Sequence, residues 1–343
     1  MVVDIDLFSQ KRKSRSVRLI LLFAVLLLVG FVLSLNTGPY SIGPFEVLQT
    51  LLGEGSKKQN LVLFELRLPR MVIAVMIGAG LAVSGAILQG ISRNGLSDPG
   101  ILGISSGAGL AVLLFVSLYP ATNMAPPFLM PFLALIGATA TAAIIYLLAY
   151  KKGHGISPTR LLLTGIAVGA GLSAISIILT LQLNPRNLEF VVTWQMGSLW
   201  GSNWKFVLAL LPWIVILLPY VYRKTNVLNL LSMNEQIAAS LGVSLQRERL
   251  ALMAGAVALA ASSVATGGGI GFIGLLGPHI ARRLVGPQHQ YMLPITALVG
   301  SLLVLAGDTI GRSIMPATEV PAGIVISLIG GPYFLYLLIR TKG

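Results

Sequence analysis

Residues 70–91 read RMVIAVMIGAGLAVSGAILQGI, 22 positions in which Arg70 carries the sole charge. One helix needs about 20 predominantly apolar residues to cross the hydrocarbon of a bilayer, and this stretch supplies them without a polar face that could turn to water. Outward from it, comparable runs recur at roughly 17–35, 64–90, 100–119, 128–150, 160–181, 204–222, 249–266, 268–285, 291–309 and 321–339, each bounded by charge, Pro or Gly clusters. The pattern predicts an all-α polytopic membrane protein of about ten transmembrane helices.

Composition agrees with that pattern. Of 343 residues, 55% are hydrophobic and 10% charged, and mean hydropathy is +0.86, whereas soluble domains carry about 25% charged residues. Polar surface is too scarce to clothe a soluble globule, so residues 1–343 form a single transmembrane domain. Residues 1–16 are expected to make a cytoplasmic N-terminal tail and 223–248 cytoplasmic coupling helices. Lys11 to Arg18 precede an apolar run as in a signal peptide, but the run is long and no small-residue cleavage site follows it before Asn36. It is read as an uncleaved first span.

A net charge of +13 raises nucleic acid as a partner, and the placement of the charges argues against it. With the N-terminus in the cytoplasm, cytoplasmic segments hold 17 of the 24 basic residues and the opposite segments 7, the positive-inside bias of a cell-membrane protein with both termini cytoplasmic. The excess is a consequence of topology, and membrane lipid is the expected surrounding.

Shifting the chain by 179 positions lays Arg70–Ile91 over Arg249–Ile270 without a gap, with identities that include Arg70/Arg249, Ser84/Ser263 and Gly90/Gly269. In the predicted topology the first segment runs inward and the second outward. Such an inverted internal repeat is an arrangement transport proteins use to build alternating access.

Chemistry-bearing motifs are scarce. Gly269, Gly271 and Gly274 fit G-x-G-x-x-G, yet they lie in a membrane segment without a β-α-β pattern, and the next acid, Asp308, is far too distant. Packing or a bend explains them. No phosphate-cradling loop or zinc-protease motif occurs, and cysteine is absent. His154, His279 and His289 lack metal-like spacing and read as interfacial or loop residues. No catalytic, cofactor or metal site is expected. The chain is not an enzyme, and any ATP hydrolysis belongs to a partner.

Two regions look built for partners. Arg67 and Arg70 stand one helical turn apart before the second span and Arg312 follows the ninth, as snorkelling anchors or as a cationic surface for an acidic partner. Asp308 sits four residues before Arg312, so the two can pair on one helix face. On the cytoplasmic side, 233–249 reads MNEQIAASLGVSLQRER, an amphipathic turn of helix ending at Gly242 with a second helix starting near Ser244. A helix-turn-helix jutting from a bundle is a handle for a cytosolic subunit.

At these residues the chain resembles the FecCD-type permeases, membrane subunits of ATP-binding-cassette importers for ferric siderophores, haem and vitamin B12. The likeness is carried by Arg67-Leu68-Pro69-Arg70, by 84–89 (SGAILQ), by 94–103 (NGLSDPGILG) and by 271–279 (GFIGLLGPH), in that order, and runs from the first span to the C-terminus. Gly95 departs from the proline usual there, and Pro158 from a small polar residue.

The resemblance implies that Arg67, Arg70 and Arg312 meet acidic residues of an extracytoplasmic substrate-binding protein. It also implies that Asn234, Glu235, Ala238, Ala239, Leu241 and Gly242 seat in a cytosolic ABC ATPase dimer, and that Ser157, Pro158 and Thr159 lie near an inner gate. A second copy or a related permease completes the pathway. Ferric siderophores are the expected cargo, with vitamin B12 or haem as alternatives. The rivals from other classes are an ion-coupled carrier, for which intramembrane acids are too few, and an intramembrane enzyme, for which no constellation exists.

Overall fold

The computed structural model describes residues 2–38, 40, 43–100, 102–118, 128–151, 155–232, 245–315 and 318–340. Helices in these residues are α1 (Val2–Asn36), α2 (Pro44–Leu51), α3 (Lys57–Ser92), α4 (Ile104–Leu118), α5 (Leu129–Ala149), α6 (Pro158–Thr180), α7 (Pro185–Gln195), α8 (Trp204–Arg223), α9 (Thr225–Ser232), α10 (Leu245–Gly267), α11 (Ile273–Val285), α12 (His289–Ile314) and α13 (Ala322–Arg340). Tyr150–Lys151 and Gly155–Ile156 pair as a two-residue antiparallel ribbon ahead of α6.

All ten apolar segments fall on helices, but not all are full spans. Among the described residues, seven helices are long and apolar enough to cross a bilayer, while Ile104–Leu118 and the apolar part of α13 are shorter. The segment expected at 268–285 becomes helical only at Ile273, and its 13 residues rise about 20 Å, well short of a hydrocarbon core of about 30 Å. The cause is local: α10 ends at Gly267, and Gly268 and Phe272 both take left-handed backbone, φ +71° and +66°. A side chain at Gly268 would collide with Trp194 O, 2.0 Å from an added Cβ. Gly269 and Gly271 thus lie in a bend and Gly274 in a packing contact, as expected from their membrane setting.

α3 is the axis of the bundle. Of its apolar window 89% is buried, against 17% for α6 and 11% for α1, whose large apolar side chains face outward as a lipid-facing surface requires. Burial this complete needs neighbours at backbone distance. A Cβ on Gly78 would come within 2.3 Å of Gly300 O on α12, and one on Gly85 within 1.9 Å of Gly274 O on α11; only glycine fits such crossings, where close packing rather than a solvent-driven hydrophobic force holds helices together.

α10 lies against another face of α3. Ser84 Oγ donates to Ala256 O at 2.6 Å, and Gly80 and Ile77 approach Ser263 and Gly267 in turn. The contacts run in opposite directions along the two helices. The pair aligned by the 179-residue shift is therefore antiparallel and adjacent.

Candidate functional site

Polar side chains concentrate at the two ends of the α3–α12 pair. At the α3 N-terminus, Leu61–Arg67 forms a π-helical stretch that continues into the α-helix from Leu68. Widened turns of this kind re-aim side chains, and here Arg67 turns into the bundle. Arg67 is 5% exposed and donates to the carbonyl oxygens of Leu35 and Tyr40.

Asp308, on α12, is the hub of this end. It is 1% exposed and accepts from Arg70 Nη2 at 2.8 Å and Nε at 3.0 Å, and from Arg312 Nε at 3.1 Å. Arg70 Nη1 reaches Glu319 Oε2 at 2.8 Å. Arg312 continues to Thr37 O at 2.9 Å and Ser34 Oγ at 2.6 Å. Three cations thus face two carboxylates and a row of oxygens at the end of α1, which draws α1, α3, α12 and the residues before α13 into one cluster. Gly38 closes it: its φ of +145° suits glycine, and an added Cβ would lie 3.1 Å from Arg67 Nη2.

The three sequence-predicted arginines are brought together, though not as free cations on a surface. Arg67 and Arg312 are buried, and Arg70 is 12% exposed on its side chain. Snorkelling anchors would point to water instead. The expected Asp308–Arg312 pair is present. Beside the cluster a cavity of about 480 Å³ opens, lined among others by Glu65, Arg67, Arg70, Trp200, Asn203 and Glu319. The sequence reading missed Glu319, which precedes α13 with left-handed backbone (φ +43°); its only signal was an acid in a short loop next to Arg312.

At the opposite end, α9 is riveted to the axis. Asn229 Oδ1 accepts from His289 N at 2.9 Å and lies 2.7 Å from His289 Nδ1, while Asn229 Nδ2 donates to Gln290 Oε1 at 2.8 Å. Arg93, at the left-handed end of α3, donates through Nε to Leu231 O at 3.0 Å. His289 is 3% exposed, a buried helix-start residue rather than the interfacial or loop histidine expected. Arg282 Nη2 donates to Gln89 Oε1 at 3.2 Å, and Gln89 donates to Gly274 O. Outside the spans, Lys224 Nζ bonds Glu248 Oε1 at 2.7 Å; this hydrogen bond raises the Lys224 ammonium above its ordinary pKa of 10.5, and desolvation does not offset it.

α9 leads directly into 233–244. Asn234, Glu235, Ala238, Ala239, Leu241 and Gly242 lie outside the described residues. Ser157 precedes Pro158, the first residue of α6, and accepts from Leu161 N at 3.0 Å through its carbonyl. Thr159 is exposed. These residues stand at the start of α6, whose Gly165 and Gly169 pack against Leu102 and Gly103. Residues 94–100 of the 94–103 motif form a tight polar turn in which Asn94 Oδ1 accepts from Leu96 N at 2.9 Å and Asp98 Oδ1 from Gly100 N at 2.7 Å. Gly95 has open space apart from Arg282 Nη1 at 3.6 Å, so the turn does not depend on proline there. Among the described residues no group of three metal-ligating side chains occurs.

A polytopic helical bundle with a glycine-packed axis, a re-entrant half-helix and charged clusters at its two ends is a multi-pass membrane protein. The sequence model of the FecCD transport family matches residues 26–340, and the chain belongs to that family. It is therefore an ATP-binding-cassette transporter permease, a transport subunit and not an enzyme. It is similar to the iron(3+)-hydroxamate import system permease protein FhuG of Bacillus subtilis, 45% identical over 93% of this chain and 95% of that one. It is also similar to the hemin transport system permease protein HmuU of Yersinia pestis, 38% identical over 95% and 96%. In fold it matches a metal-chelate type ABC transporter solved in an inward-facing conformation, with TM-score 0.81 and 32% identity over 95% of this chain and 99% of that one.

Proposed function

We propose that this chain is the permease of a ferric-siderophore importer in the cell membrane, with both termini cytoplasmic. The observation that carries the reading is the near full-length 45% identity to a permease named for iron(3+)-hydroxamate import. An extracytoplasmic binding protein delivers the chelate at the arginine end. There Arg67, Arg70 and Arg312 all line the mouth cavity, Arg67 and Arg312 as largely buried cations; complementary charge of this kind sets encounter and register more than affinity. A cytosolic ATPase dimer seats on the segment 233–244, and a second permease, identical or related, completes the pathway. Ser157–Thr159 contribute to the inner gate at the start of α6. ATP drives the cycle by binding one access state more tightly than the other.

Haem is the second reading, favoured by the likeness to HmuU. The test is uptake of labelled ferric siderophore, haem and cobalamin by cells with and without this chain, each repeated under ATP depletion. ATP-dependent loss of ferric-siderophore flux on deletion is expected. Loss of haem or cobalamin flux alone would keep the importer and replace the cargo, and flux that followed an ion gradient while ignoring ATP would sink the mechanism.

A further inference from the structure

A second cavity, of about 380 Å³, lies between α4, α6 and α7, apart from the arginine cluster. Its polar lining is Ser105, Ser106, Ser173, Ser176, Thr180, Gln195 and the indole of Trp194, and no Lys, Arg, His, Asp or Glu lines it. The hydroxyls are not equally free to donate. Ser176 gives its proton to Leu172 O at 2.9 Å and Thr180 to Ile177 O at 2.6 Å, so both turn oxygen lone pairs to the cavity. Ser106 and Ser173 share one hydrogen bond across α4 and α6 at 3.3 Å. The wall is electroneutral: Ser176 and Thr180 offer it lone pairs, and Gln195 and Trp194 add N–H donors.

Resting on the importer reading above, we propose that this cavity is one subunit's share of the translocation pathway and selects cargo by charge. It passes electrically neutral ferric chelates that carry amide N–H or O–H donors, of the trihydroxamate type, and disfavours polyanionic tricatecholates and polycarboxylates. An anion leaving water at membrane depth requires a counter-charge or a dense set of donors; this wall holds no charged side chain, and two of its hydroxyls, Ser176 and Thr180, are committed to backbone carbonyls. Donor groups on a neutral chelate find the lone pairs they need. Similarity alone does not settle this, because relatives named for hydroxamate, citrate and hemin all match the chain; the wall chemistry separates them.

The test uses cells in which the gene is deleted and then restored, supplied with radio-iron as a neutral ferric trihydroxamate or as a trianionic ferric tricatecholate. Deletion is expected to remove trihydroxamate uptake and leave tricatecholate uptake unchanged. Restoration with Ser173→Lys, compared with the neutral Ser173→Met of similar length, is expected to raise the tricatecholate to trihydroxamate uptake ratio about tenfold. If either variant fails to reach the membrane, Ser106→Lys and Ser106→Met are scored in the same way. A tricatecholate flux that depends on the wild-type chain, or a ratio that is equal in the Lys and Met variants, overturns charge selection while leaving the importer standing. If deletion removes neither flux, the ferric-siderophore reading itself fails, and this inference falls with it.

Discussion

Replacing Asp308 by Asn tests whether the arginine cluster is held by its buried carboxylate. The substitution keeps shape but removes the charge that Arg70 and Arg312 share through contacts of 2.8 and 3.1 Å. Asp308 is 1% exposed, so water cannot enter to screen the two guanidinium groups left facing one another. Breaking a buried ion pair from one side costs about 3–5 kcal/mol, and for a chain of this size that lowers the melting temperature by on the order of 10 °C. Glu319→Gln is the internal control. It removes one contact to Arg70 at a position 18% exposed, where about 1 kcal/mol is at stake. Thermal challenge of detergent-solubilised protein, followed by size-exclusion chromatography, reads both. If Asp308→Asn melts within about 2 °C of wild type, or no lower than Glu319→Gln, the cluster is not a structural hub. In the double variant Asp308→Asn/Arg312→Gln part of the loss is expected to return, because the orphaned cation is gone, with a coupling above about 1 kcal/mol.

Arg70→Gln should raise the concentration of binding protein needed for half-maximal delivery about tenfold, measured with reconstituted importer; an unchanged requirement would remove Arg70 from the docking surface. Gly85→Leu should abolish the monodisperse folded species, since a Cβ there meets Gly274 O at 1.9 Å, and a folded variant would show that α11 can shift away. Asn229→Ala leaves the buried His289 N–H without its acceptor, costs about 1–3 kcal/mol and should release ATP hydrolysis from transport; transport per ATP equal to wild type would end the idea that α9 transmits motion. Lys224 has a raised pKa in the folded chain, so the stability it adds is complete below pH 10.5 and is lost as pH climbs through the folded value. Lys224→Met should therefore cost under about 1 kcal/mol at neutral pH, and a large loss there, read in the same melting assay, would contradict the pair's half-exposed setting.

The spans were legible because hydropathy and helix length act locally: each apolar run must satisfy its own backbone bonds, and each expected run carries a helix. The re-entrant break at 268–272 was not. A hydropathy window sums side chains and is blind to the φ values of Gly268 and Phe272, although the run of glycines at 267–269 was the available warning. Arg67, Arg70 and Arg312 lie together at one end of the bundle and the Asp308–Arg312 pair was foreseen, yet the burial of Arg67 and the reach of Arg70 to Asp308 and Glu319 were not. Whether an arginine faces water or a buried acid is settled by partners 238 and 249 residues away in Asp308 and Glu319, and a single sequence does not record such distances. The same holds for Asn229 and His289, 60 residues apart. Reversing Arg70 and Arg312 to glutamate would place new carboxylates against Asp308 and Glu319 and destabilise the fold, so a charge reversal there is no clean test of docking.

The two polar ends are joined by one rigid pair. α12 meets α3 through Arg70–Asp308 at one end and through Gly90 beside His289 at the other, with Gly78 against Gly300 between them. Backbones in contact leave no compressible side-chain layer, and packed interiors transmit strain instead of absorbing it. A displacement of α9 by a subunit seated on 233–244 would act through Asn229 on the start of α12 and through Arg93 on the end of α3. It would therefore move the pair as one body and be felt at Asp308. That geometry also explains why the charged groups sit where they do. Placed midway they would cost several kcal/mol in hydrocarbon, whereas at the ends of a stiff rod they can be paired and still mechanically connected.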